Sequence, residues 1–233
     1  MIILFGGEKG GTGKSTLATN MCTWLALNKK EFILVDADKQ GTSSNWAALR
    51  NSNENLPSIT CIQKFGHINK TVADLSQKYE NVVVDAAGRD SQEFRSSLVV
   101  ADILVAPLQP SQCDLWTTEH LFEIINLAKP NNPDLKTCVV LTRASSNPKV
   151  KEIKEAKELL VEYEDAELMK AIIKERKVYK DAICEGRGVM EMRDNKARQE
   201  VNNLCAEIFT SETKNSETNK ESTLTEGATN GQI

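Results

Sequence analysis

The segment Lys9-Gly10-Gly11-Thr12-Gly13-Lys14-Ser15-Thr16 constrains this chain more than any other. It follows the apolar run Ile2-Ile3-Leu4-Phe5. It precedes Leu17, Met21, Trp24 and Leu25, which share one helical face that Asn28 ends. A glycine-rich turn between a strand and an amphipathic helix is the context of a phosphate-binding loop. Glycines let the backbone curl with its N–H groups inward, and the helix N-terminus adds its partial positive charge. Lys14 then supplies a point charge at the β and γ phosphates, and Ser15 offers a hydroxyl to Mg²⁺. The ordinary spacing of such a loop has Gly where this chain has Glu8. The extra lysine, Lys9, stands on the loop's entry side.

A loop of this kind needs a carboxylate at the end of a second strand to hold the metal's water shell. Two apolar runs end in Asp: Val82-Val83-Val84-Asp85 and Ile33-Leu34-Val35-Asp36, the latter continuing Ala37-Asp38-Lys39-Gln40-Gly41. Asp85 reads as the metal-binding position opposite Ser15. Strands are expected at Ile2–Phe5, Phe32–Asp36, Val82–Asp85, Ile103–Pro107 and Thr137–Leu141. Most are continuous apolar runs, as parallel strands covered on both faces require. A second helical face runs through Val150, Ile153, Ala156, Leu160 and Tyr163. The alternation of strand and helix predicts an α/β fold, a doubly wound and mostly parallel sheet with right-handed crossovers and helices on both faces.

Composition removes several alternatives. A net charge of −4 argues against coating nucleic acid by bulk charge, while leaving room for a local basic patch. The six cysteines are scattered without a Cys-x-x-Cys pair, and His67 and His120 are isolated, so buried thiols in a reducing compartment are expected rather than zinc. No apolar stretch approaches the ~20 residues of a membrane span. Residues 51–57 are polar and Asn-rich and read as a loop. The polar stretch 210–233 is too poor in apolar residues to offset its ordering entropy and is expected to be disordered. One domain over 1–209 accounts for the rest.

Lys9-Gly10-Gly11-Thr12-Gly13-Lys14-Ser15 resembles the signature-lysine form of the loop in the deviant Walker-A ATPases of the ParA/MinD family. Segments 86–90, 107–112, 141–143, 173–179 and 188–191 are similar to small ParF-like ParA proteins, so the resemblance covers roughly 1–209. It implies a P-loop ATPase with ATP and Mg²⁺ as cofactors, forming an ATP-dependent homodimer in which Lys9 reaches the partner's nucleotide; filament formation is left open. Residues 10–16 (Gly10, Gly11, Thr12, Gly13, Lys14, Ser15, Thr16) would hold phosphates, and Thr142 and Arg143 would lie near the adenine. Ser15, Asp36 and Asp85 would serve the metal. Lys9, Lys14 and Asp38 would be catalytic, Asp38 orienting the attacking water. Gly88 would approach the γ phosphate, and Arg89 and Arg143 are the arginine-finger candidates. The chain departs from the family's Asp-x-Asp-Pro-Gln-Gly at Lys39, which replaces Pro and brings a charge beside Asp38.

The family resemblance further implies DNA partition: an ATP-bound dimer on nonspecific DNA, released by hydrolysis that a ParB/ParG-like adaptor stimulates. The basic residues Lys174, Arg176, Lys177, Lys180, Lys196 and Arg198 are the candidate DNA contacts, although acidic residues lie among them. Localisation would be cytoplasmic and nucleoid-associated. The alternatives are a positioning ATPase for a protein cargo, which shares every catalytic residue, and a MinD-like regulator. The polar C-terminal stretch lacks the apolar face of a membrane helix, which argues against the latter. Operator binding is not expected, because the chain opens on its first strand.

Overall fold

A computed structural model describes residues 1–88, 90–110, 115–147, 151–163 and 166–226, with backbone alone at 115–117 and 211–226. Arg89, Ser111, Gln112, Cys113 and Val150 lie outside the described residues. Seven strands form a single sheet in the order β3-β2-β4-β1-β5-β6-β7. They are β1 (Ile2–Phe5), β2 (Phe32–Ala37), β3 (Cys61–Gln63), β4 (Asn81–Ala86), β5 (Ile103–Leu108), β6 (Lys136–Ala144) and β7 (Ala166–Lys174). Every adjacent pair is parallel. The helices are α1 (Lys14–Leu27), α2 (Thr42–Asn51), α3 (Asn69–Ser76), α4 (Gln92–Leu98), α5 (Leu115–Ala128), α6 (Glu152–Leu160), α7 (Lys177–Cys184) and α8 (Asn195–Glu226), with a 3-10 turn at Val189–Glu191.

The central strands are buried along their whole length because helices cover both faces. Alternate residues serve two separate cores. Ile3, Phe5, Leu34, Val83 and Val105 pack with α1, α2 and α8 on one face. Leu4, Val35, Val84, Leu104 and Leu141 pack with α4, α5 and α6 on the other. Leu17, Met21, Trp24 and Leu25 of α1 are buried as their spacing requires, and Asn28 caps the helix. All five expected strands are present. Residues 52–57 form the expected loop, Asn51 closing α2.

The sheet also contains β3 and β7, its two edges, which the sequence reading did not include. Along β7 the pairing with β6 is irregular: the partner of Val139 is Leu168 but the partner of Leu141 is Ile172. In that stretch the amides of Lys170 and Ala171 donate to the two carboxylate oxygens of Glu207 on α8, at 2.7 and 3.0 Å. The Lys174 amide donates to Glu200 on the same helix at 3.2 Å.

Helix α8 runs to Glu226, into the stretch expected to be a polar tail, and no Gly or Pro interrupts 195–226; residues 227–233 lie outside the described residues. The described cysteines are unpaired thiols, and Cys22, Cys138 and Cys205 are buried, but Cys61 is half-buried on an edge strand and Cys184 is exposed at the end of α7.

Candidate nucleotide site

Parallel pairing brings the functional strand ends together. Phe5 of β1 is in register with Asp85 of β4, and Asp85 with Asp36 of β2. The loop from β1, both acidic strand ends and the start of α2 therefore meet at the carboxyl end of the sheet, where open α/β sheets bind ligands. There a cavity of about 620 Å³ is lined by residues that include Gly10, Gly13, Lys14, Ser15, Asp38 and Gly88.

The phosphate-loop backbone has the shape that its glycines permit. Gly13, with φ of 104°, precedes α1 and leaves its first amides without a side-chain cap. Lys14 is buried, and its Nζ donates to the Lys9 carbonyl at 2.6 Å. Burial lowers its pKa, while the carboxylates of Asp85, Asp38 and Glu8 oppose that shift. Gly88 presses close: a Cβ at that position would lie 2.8 Å from Lys14 Nζ. The loop is braced from behind. Thr142 Oγ1 donates to the Thr12 carbonyl at 2.7 Å, and Arg143 Nη1 to the Gly11 carbonyl at 2.9 Å. Gln109 Nε2 also donates to Gly11, at 2.7 Å, a contact that only tertiary structure reveals. Thr142 and Arg143 also line a second cavity of about 130 Å³, with Ile173, Glu175 and Tyr179. Arg143 adopts a positive φ of 49° and pairs with Glu175.

The acids divide into distinct parts. Asp85 is fully buried, and its Oδ2 accepts from Ser43 Oγ at 2.6 Å. Burial pushes its pKa up to about 7, opposed by the hydroxyls of Ser43 and Ser15. Its other oxygen, Oδ1, is buried with no hydrogen-bond partner. An orphaned carboxylate oxygen beside Ser15 suits a divalent cation, so the residues present fit Mg²⁺. Asp36 is used differently. Its Oδ1 accepts from the Asp38 amide at 3.1 Å and its Oδ2 from the Ser44 amide at 2.7 Å, so it anchors the loop between β2 and α2. Asp38 is half-buried and lines the large cavity. Lys39 is exposed, and the turn it occupies closes without Pro: the Gln40 amide donates to Asp38 Oδ1 at 2.9 Å and the Gly41 amide to the Asp38 carbonyl at 2.9 Å.

The basic cluster does not form one open patch. Arg176 donates to Glu200 at 2.6 Å and both side chains are largely covered. Lys177 pairs with Asp181, and Lys180 with Glu175. Lys196 and Arg198 are exposed on the first turn of α8, and Lys174 is half-buried.

A central-strand loop closing on a buried lysine, faced by a strand-end carboxylate with a vacant oxygen, defines a nucleotide-binding protein of the P-loop α/β class. The chain belongs to the CobQ/CobB/MinD/ParA nucleotide-binding domain family, whose description matches residues 3–189. Among its relatives, the maintenance of carboxysome distribution protein A of Halothiobacillus neapolitanus is 27% identical over 208 residues, spanning 87% of this chain and 94% of that protein. The chromosome partitioning protein ParA of Myxococcus xanthus is 27% identical over 177 residues, 58% of this chain and 62% of that one. In fold the chain is similar to apo McdA of Cyanothece, with a TM-score of 0.74 over 89% of this chain and 98% of that one at 15% identity. Among the described residues no helix is long and apolar enough to cross a membrane.

Proposed function

We propose that this protein is a Mg²⁺-dependent ATPase that works as a nucleotide-gated homodimer to position a cargo on DNA. The observation that carries this reading is the Lys14 ammonium, drawn onto the carbonyl of Lys9 at 2.6 Å inside a cavity faced by Asp38 and Gly88. A buried cation hydrogen-bonded to its own loop and facing an open cavity is poised for an anion.

The chain's residues divide the work by position. Amides of Gly10–Thr16 and the start of α1 take up phosphate oxygens, and Lys14 turns from the Lys9 carbonyl to the phosphates. Asp85 and Ser15 hold the cation, which when bound neutralises charge on the β and γ phosphates. Asp38 orients the attacking water, held in place by Asp36. Lys9 completes the site of a second copy, and Thr142 and Arg143, beside the smaller cavity, border the adenine. The ATP-bound dimer binds DNA, and hydrolysis, which a partner accelerates, releases it.

Cargo positioning is favoured over DNA partition by coverage. The match to the carboxysome distribution protein spans nearly the whole of both chains, whereas the match to the M. xanthus ParA spans about three-fifths of each. The partition reading, with a ParB/ParG-like adaptor, is the second. In both, nonspecific DNA contacts come from the exposed start of α8, Lys196 and Arg198, with Lys174, Lys177 and Lys180, and place the protein on the nucleoid.

The test is light scattering and DNA retention with ATP, ADP or no nucleotide. Wild type should dimerise and bind DNA only with ATP. Lys14→Ala should lose both, Lys9→Ala should bind ATP but not turn it over as a dimer, and Asp38→Ala should remain trapped as the ATP-bound dimer. A wild-type protein that stays monomeric with ATP and hydrolyses it unchanged after Lys9→Ala refutes the proposal. The trapped dimer then serves as bait: recovery of a protein-shell component supports the first cargo, and recovery of a DNA-binding adaptor the second.

A further inference from the structure

Ser43 has a place in the site that neither the loop motif nor the acidic strand ends account for. It lies in the first turn of α2, fully buried, and its hydroxyl donates to Asp85 Oδ2 at 2.6 Å. The next residue fastens the same helix to the neighbouring strand, the Ser44 amide donating to Asp36 Oδ2 at 2.7 Å. The N-cap of α2 is Gly41, which has no side chain to cap with, so the helix start is held by these two strand-end carboxylates.

Asp85 is thus held by a hydroxyl from α2, the helix that continues the segment bearing Asp38, while Ser15 stands at the start of α1 at the end of the phosphate loop. The Ser43 bond engages Oδ2 and leaves Oδ1 as the unengaged oxygen of the carboxylate. A hydroxyl that only satisfied a buried acid would not need to lie on the helix whose start follows the water-orienting residue.

We propose that Ser43 is a positioning residue: its hydroxyl presents the Asp85 carboxylate to the divalent cation and ties that cation's occupancy to the placement of Asp38. The proposal rests on the Mg²⁺-nucleotide reading above and adds a residue to it. Residues that hydrogen-bond a metal ligand typically change metal affinity by roughly 10-fold or more when removed.

The experiment titrates Mg²⁺ against a fluorescent ATP analogue, with wild type, Ser43→Ala, the near-isosteric Ser43→Cys and the hydroxyl-retaining Ser43→Thr. Hydrogen exchange of residues 38–44 is followed in the nucleotide-free proteins. Expected for Ser43→Ala are unchanged analogue affinity in EDTA, a Mg²⁺ midpoint raised roughly 10-fold, a lower kcat at saturating Mg²⁺ and faster exchange at 38–44. Ser43→Thr should recover the midpoint and kcat. If Ser43→Thr proves too large to fold, Ser43→Cys, a weak donor, should fall between wild type and Ser43→Ala. A Ser43→Ala protein that is merely less heat-stable, with wild-type Mg²⁺ midpoint and kcat, overturns the proposal while leaving the ATPase reading intact. A wild-type protein whose analogue binding ignores Mg²⁺ overturns both.

Discussion

Arg50 and Glu191, 141 residues apart, form a two-pronged ion pair closed to solvent, with Nη1 to Oε2 and Nη2 to Oε1 both at 2.8 Å. Arg50 also donates to the carbonyls of Pro57 and Gly186, so its donors are met by a carboxylate and two backbone oxygens. Because α2 begins at the cation site and ends near this pair, the pair sets the far end of the helix that carries Ser43. Removing one partner strands a buried charge. Arg50→Ala should cost about 3–5 kcal/mol in urea unfolding. The double variant Arg50→Met/Glu191→Leu should lose less than that, since neither charge is left alone.

Asp85 carries a stability cost that depends on pH. Its folded pKa of about 7 lies above the ordinary aspartate value of 3.8. The stability linked to its proton is therefore full below the unfolded value and lost as pH rises through the folded one. At pH 8 the nucleotide-free protein holds a desolvated carboxylate that Asn would not impose. Asp85→Asn should raise the thermal midpoint at pH 8, change it little near pH 4, and abolish Mg²⁺-dependent nucleotide binding. Calorimetry at the two pH values checks the sign.

Gly88→Ala should separate binding from folding. The added methyl would meet the Lys14 ammonium at 2.8 Å and the Lys9 carbonyl at 3.3 Å. The lysine end is the flexible member, so the strain is relieved by displacing it. The thermal midpoint should stay within a few degrees of wild type while ATP affinity falls by about 10-fold or more, the scale on which 1.4 kcal/mol is lost.

The proposed DNA contacts give a contrast between exposed and tethered cations. Lys196→Glu with Arg198→Glu changes exposed charges on α8 and should leave stability nearly unchanged. It should weaken DNA retention and flatten the log–log salt dependence of the dimer by about 4, two contacts from each protomer. Arg176→Glu would face Glu200 and should lower stability first, so its loss of DNA binding would not report a contact. Filter binding over a salt series, read beside urea unfolding, distinguishes the two.

The parts of this protein legible in the sequence are those in which neighbours along the chain do the work. The phosphate loop lies within eight consecutive residues, and the five inner strands announce themselves as unbroken apolar runs. The edge strands did not. Cys61–Gln63 is only three residues long, and Ala166–Lys174 alternates covered Met169, Ala171 and Ile173 with exposed Lys170 and Glu167. An edge strand has solvent along one side, so its pattern carries half the signal of a central one. The site's supports were hidden for another reason. Gln109, Ser43 and Glu200 matter through contacts with Gly11, Asp85 and Arg176, separations of 98, 42 and 24 residues that no local pattern encodes. The same distance hides the tether on Arg176, a surface cation by composition that pairs with Glu200 in three dimensions.

The two glutamates of α8 that accept amides from β7 act as an end-stop on the sheet. With the amides of Lys170, Ala171 and Lys174 already claimed, this edge offers a poorer rail for another polypeptide to zip along. The C-terminal helix is therefore also insulation for the β7 side of the sheet.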